Sequence, residues 1–252
     1  VGGGRPVPGG AGRAGSGPRP SRGGAPGVAL FGPGPVGGVL HFAAQLLRSY
    51  PTVQDWHPMA FYVLAGLGWL VATIGFGFVY ALNWHFRWFE VSDPMLAAHV
   101  HLGLAGWLGL TLMGVSYKLT ELFALAHGHG RALAFANLGL WNLALLGLAL
   151  SLLFAPGSWL VTAFAGLLAV SALLHVLDLG LLLRNRRRRK LPVEQWPTFV
   201  SLGSLLVAAG LGLILASGRA PGRNWIVDYG YDALAGRFGV AMVGECYAIH
   251  TF

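Results

Sequence analysis

The side chains of this chain best suited to chemistry stand at the head of an apolar run, "AAHVHLGLAGWLGLTLMGVSYKL" (residues 97–119), where His99 and His101 are separated by one valine. Imidazole is a metal ligand, a proton carrier and a hydrogen-bonding group. At about 100° per residue the two rings point about 200° apart, so one straight helix cannot aim both into a single site. The face of His99 also carries Gly103, Gly106, Leu110, Gly114, Tyr117 and Glu121. Such a groove of small residues, with polar groups at both ends, lets a flat macrocycle approach and makes His99 a natural axial iron ligand. It equally suits close packing of helix on helix, with His99 as an interfacial histidine. The face of His101 carries Ala105, Leu108, Leu112 and Leu119, with Gly109 and Ser116 at its edge, and reads as packing.

Other ionisable residues give further candidates. His175 and Asp178 stand inside a second apolar run, where ionisable groups are costly and often functional. With Glu121 and Lys118 they suggest either an inner-side proton route or a plain buried polar contact. His175 should lie roughly 18–20 Å deeper than His99, so the two cannot share an iron. His127 and His129, in "HGHG", offer imidazoles to copper or zinc without further ligands beside them. His85 is placed to serve as a second axial ligand, or to hold a haem propionate together with Arg87, Arg219 or Arg223 through charge-assisted contacts. His57, before Pro58, reads as an interfacial residue. No nucleophile elbow, Walker loop or zincin helix is present. The lone Cys246 excludes an internal disulfide and any Cys-pair metal site.

The elements that must position these residues are membrane helices. Of 252 residues, 55% are hydrophobic and 10% charged, with a mean hydropathy of +0.61, outside the range of an ordinary soluble domain. Bilayer-length apolar runs fall at about 58–82, 95–124, 132–154, 158–183, 197–217 and 230–252. Backbone groups must be satisfied within lipid, and β-barrel alternation is lacking, so the expectation is an all-α integral membrane protein of about six spans. The net charge of +8 resides in the N-terminal tail, in Arg184–Lys190 and near helix ends. Positive-inside topology accounts for it, and no nucleic-acid partner is expected. The basic run then lies in the cytoplasm, most naturally of a bacterium whose inner membrane holds the chain. Trp84, Trp88, Trp159 and Trp225 fall at the outer boundary, Trp56 and Trp196 at the inner one.

Residues 1–35 form a disordered Gly/Pro/Arg-rich tail and 36–252 the transmembrane domain, with "VGGVLHFAAQLL" (36–47) a remnant of another helix. The missing initiator Met and the end inside an apolar segment suggest a truncated or misread gene product with an artefactual tail. Within the spans, residues 104–119, "LAGWLGLTLMGVSYKL", lie without gaps over 234–249, "LAGRFGVAMVGECYAI". Span 2 thus matches span 6, which implies a four-helix parallel repeat. Tyr229 and Tyr231 stand where His99 and His101 do.

The stretch "HVHLGLAGWLGLTLMGVSYKL" resembles helix II of subunit I in the haem–copper oxidase superfamily, closest to its cbb-type cytochrome c oxidase and nitric-oxide-reductase branches. Shorter oxidase-like bacterial membrane proteins are similar too. The resemblance implies that His99 ligates a low-spin haem b, that His101 is the polar residue following it, and that Gly109 and Ser116-Tyr117 match the later glycine and pair. Arcs of four helices in that superfamily agree with the repeat. The resemblance covers roughly the first half of such a subunit, and it departs from the pattern at span 6, whose head carries Tyr229, Gly230 and Tyr231 in place of a copper-ligating histidine. Oxygen reduction by this chain alone is therefore unsupported. The expected cofactor is haem b, held by His99 with Gly103, Gly106, Tyr117, Arg87, Arg223 and the neighbouring His101. The expected role is electron transfer in respiratory or nitrogen-oxide metabolism, within a terminal oxidase or nitric oxide reductase, beside other oxidase subunits or a cytochrome c-like donor. The rival expectations are a secondary transporter and a non-catalytic assembly or sensor subunit.

Overall fold

The computed structural model describes residues 33–49, 57–126, 131–187, 196–219 and 224–241. The described chain is helical, with one isolated bridge between Ala126 and Arg186. Its elements are α1 (Pro33–Ser49), α2 (Pro58–Phe86), α3 (Asp93–Ala124), α4 (Ala132–Phe154), α5 (Trp159–Arg184), α6 (Trp196–Ala216) and α7 (Asn224–Tyr231). Helices α2 to α6 are long and apolar enough to cross a membrane. Of the sixth expected span, 230–252, only residues up to 241 are described, and the tail through residue 32 lies outside the described residues.

Local chemistry sets the helix ends. Pro58 opens α2 where its missing N–H is not needed, and the ring of His57 accepts from the Met59 N–H at 3.2 Å as the cap. At the other end Arg87 turns left-handed, φ 54°, and returns its N–H to Asn83 O. The Asn83 amide then donates to Phe89 O at 2.8 Å and accepts from Phe89 N at 2.9 Å, closing the short return to α3. Pro94 follows the extended Ser92 at the start of α3.

The middle of α3, Leu102–Gly109, is π-helical. So is Asp232–Gly239, which continues α7. In such turns the hydrogen bond reaches one residue further than in an α-helix, which widens the backbone and shifts every later side chain around the axis. Within the first stretch Ala105 O accepts from the indole of Trp141, on α4, at 3.0 Å.

Packing follows the bilayer rule, with apolar side chains outside and polar ones within. Leu143, Leu146 and Leu150 of α4, Val170, Leu173 and Leu177 of α5, and Val200 and Val207 of α6 are exposed, whereas Asn137, Ser171, His175, Asp178, Ser201 and Arg237 are buried. The main apolar core joins Tyr62, Leu110, Met113, Tyr117, Trp141, Ala172, Leu179 and Leu205 from five helices. Helices α2 and α3 approach closely because glycines face the partner: a Cβ on Gly114 would stand 2.7 Å from Tyr62 Cβ and 3.0 Å from Met59 O, and one on Gly106 would stand 2.8 Å from Trp69 Cβ. Small residues of this kind are what lets membrane helices pack without a hydrophobic driving force.

Gly114→Ala should therefore lower stability by about 1–3 kcal/mol through overpacking. Gly75→Ala, whose added Cβ meets nothing within 4 Å, should leave it unchanged or slightly raised. Unfolding of the two variants in mixed micelles checks the contrast.

Candidate functional site

Two regions hold the candidate residues, one at the His99 end of α3 and one toward its other end. The first is a groove of about 700 Å³ between α2 and α3, bordered by Leu234. Thr73, Gly77 and Ala81 of α2 face His99, Gly103 and Trp107 of α3 across it. The His99 ring lies edge-on to Tyr80, centroids 5.7 Å apart, and a Cβ on Gly77 would come within 3.4 Å of its Cε1. His99 Nδ1 is buried and has no hydrogen-bond partner among the described residues.

His101 is fully engaged elsewhere. A carbonyl can only accept, so the 2.7 Å contact to Ala97 O puts the ring hydrogen on Nδ1. Nε2 must then accept from the Tyr229 hydroxyl at 3.0 Å. The two rings stack at 5.9 Å, tilted by 23°. Tyr229 in turn rests on Gly212 of α6, where a Cβ would stand 3.3 Å from its ring. The pair thus ties α3 to α7 and α6, and metal ligation by His101 would require breaking one of its bonds.

The second region is a buried polar network to which α2 to α6 and the π-helical continuation of α7 all contribute. The Tyr117 hydroxyl donates to Asp178 Oδ2 at 2.8 Å. Ser116 Oγ lies 3.3 Å from His175 Nε2, and the rings of Tyr117 and His175 meet edge-on at 5.1 Å. Tyr62, packed against Tyr117, donates to Ala134 O at 3.0 Å. Asn137 donates to the Tyr62 oxygen at 3.4 Å and accepts from Ser171 at 2.6 Å. Ser201 bonds both the carbonyl and the guanidinium of Arg237, itself almost wholly buried. At the bundle end below, His57 Nε2 pairs with Glu121 Oε2 at 2.8 Å.

The structure brings together some of the sequence candidates and separates others. His99 and Gly103 share the groove, while Gly106 is packed against Trp69 and Leu145. Tyr117 belongs to the polar network. Arg87 is exposed at the end of α2, as is His85, whose ring lies against Phe86. Arg223, His127 and His129 lie outside the described residues. Among the described residues no group of three or more His, Cys, Asp or Glu is arranged to hold a metal ion. Sequence reasoning overlooked the His57–Glu121 pair and the burial of Arg237, although a single arginine inside an apolar run was a visible signal for the latter.

No protein-family model matches the chain, and neither does any curated protein or solved structure.

The geometry ranks two substitutions. Tyr229→Phe removes one interhelical hydrogen bond, typically about 0.6 kcal/mol in a membrane bundle. Tyr117→Phe strips a donor from a buried carboxylate and should cost more, about 1–3 kcal/mol. Equilibrium unfolding of both variants in the same detergent checks the order.

Proposed function

We propose that the chain is a haem-binding membrane protein of electron transfer, with His99 as an axial ligand to a low-spin haem b. The observation that carries this reading is the His99 imidazole set in an apolar groove between Gly77 and Gly103. Small residues on both walls leave space beside the ring, and Trp107, Phe78 and Leu108 give it apolar surroundings. Haem, when bound, supplies one-electron chemistry; His99 would hold its iron, and the groove would exclude water and set the dielectric around it. His85, the candidate second axial ligand, is exposed at the end of α2 and does not line the groove.

The register of the two π-helical stretches supports the parallel four-helix repeat. Leu102–Gly109 and Asp232–Gly239 fall at matching positions of the aligned sequences "LGLAGWLG" and "DALAGRFG". A repeat of that size agrees with the resemblance to haem–copper oxidase subunit I, and with it a place in respiratory or nitrogen-oxide metabolism beside other oxidase subunits or a cytochrome c-like donor. In a bacterial inner membrane the basic run from Arg184 would face the cytoplasm. A second reading, a secondary transporter, draws on the buried network around Asp178 and His175.

Visible spectra of the purified chain, oxidised and reduced, separate these readings. We expect a Soret band that persists in His101→Ala and is lost in His99→Ala, with Gly103→Leu weakening it by filling the groove. A wild-type chain without the band, or loss confined to His101→Ala, overturns the haem assignment.

A further inference from the structure

Three contacts bring one set of helix ends together. The His57–Glu121 pair sets the start of α2 beside the end of α3. The edge-on rings of Phe61 and Phe135 set it beside the start of α4, and the backbone bridge from Ala126 to Arg186 sets the end of α3 beside the end of α5. Among the described residues this end carries Lys118, Arg131, Arg184, Arg186 and Arg187 against the carboxylate of Glu121, which His57 already engages at 2.8 Å. The opposite end is mixed, with Arg87 and Arg219 among Glu90, Asp93 and Asp228. Arg184, Arg186 and Arg187 are exposed, and no carboxylate among the described residues lies within ion-pair reach of them.

The backbone that carries these cations is held in place. Leu182 O and Leu183 O accept from the N–H groups of Asn185 and Arg186 at 3.1 and 3.3 Å, which closes the end of α5. The bridge to Ala126 then fixes Arg186 beside Leu125, where α3 ends in a left-handed residue, φ 51°. Apolar surface lies directly next to the charge. Leu122, Leu125 and Leu181 are 54%, 46% and 41% exposed, and the first two line a crevice of about 140 Å³ together with Lys118 and Glu121. Arg184 is the last residue of a helix apolar enough to cross a membrane. Cations in that position attract acidic lipids, and a guanidinium matches a phosphate with paired hydrogen bonds. Water and simple ions would satisfy the arginines alone; the leucines beside them call for a ligand that is anionic at one end and apolar at the other.

We propose that Arg184, Arg186 and Arg187, with Lys118, bind the headgroup of an anionic phospholipid whose acyl chains lie against Leu122, Leu125 and Leu181. The sequence continues with Arg188, Arg189 and Lys190, which add to the attraction. The site stands toward the other end of α3 from the His99 groove and does not depend on haem.

Electron paramagnetic resonance of the full chain in lipid vesicles, with phosphatidylglycerol or phosphatidylcholine spin-labelled on the acyl chain, reads how much of each lipid is held at the protein surface. The wild-type chain should prefer phosphatidylglycerol severalfold, and the preference should shrink in 1 M salt, where charges are screened beyond about 3 Å. Combining Arg184→Gln, Arg186→Gln and Arg187→Gln should lower it clearly, whereas lysine at the same three positions should keep most of it. Arg87→Gln with Arg219→Gln, at the opposite end, should leave it unchanged. Equal association of both lipids with the wild-type chain, a preference indifferent to salt, one that survives the three glutamines, or an equal fall in the Arg87 and Arg219 variant overturns the proposal.

Discussion

Inside hydrocarbon a polar side chain can bond only to protein, and the arrangement of this bundle follows from that. Each interhelical hydrogen bond contributes little, about 0.6 kcal/mol on average. A buried polar group left without one costs several times as much. The asymmetry makes the network around Asp178 a selector of geometry more than a source of attraction. Rotating α5 on its axis would carry Asp178 away from Tyr117, and shifting α3 would separate Ser116 from His175. Few relative placements of these helices satisfy all of the groups at once. Meanwhile the outward leucines and valines of α4, α5 and α6 constrain almost nothing, since lipid accepts them in any rotation.

Hydropathy made the membrane helices legible, because a run of apolar residues long enough for a bilayer has few other uses. The five spans from α2 to α6 agree with the expected ones to within a few residues. Turn chemistry explains the difference at α2, which runs on to Phe86 because Asn83 clamps Phe89 and so shortens the return loop. The divergence of His99 and His101 was legible for the same reason that simple wheels work: both lie on one regular turn ahead of the π-helical stretch.

Beyond Leu102 the same face goes on meeting α2: Gly106 abuts Trp69, Gly114 abuts Tyr62, Tyr117 packs on Tyr62, and Glu121 pairs with His57 at the α2 cap. What the wheel does not record is the π-helical stretch it crosses, whose turns are wider than α-helical ones. Which backbone bonds skip a residue depends on neighbours such as Trp141 on another helix, and no local pattern records it. Arg237 was hidden likewise: its partner Ser201 is remote in sequence, and hydropathy reads a buried arginine only as an interruption. The capping role of His57 needed only Pro58 to be read as a helix start, whereas its bond to Glu121 needed the fold.

The contact between the Trp141 indole and Ala105 O has a mechanical side. It joins a rigid ring on α4 to one particular carbonyl in the widened turns of α3, where the neighbouring rungs of the helix differ in spacing. A helix sliding past a regular neighbour can exchange one partner for the next, one turn away. The contact thus favours one axial register of α4 along α3 over its neighbours, by the modest amount a single interhelical hydrogen bond supplies.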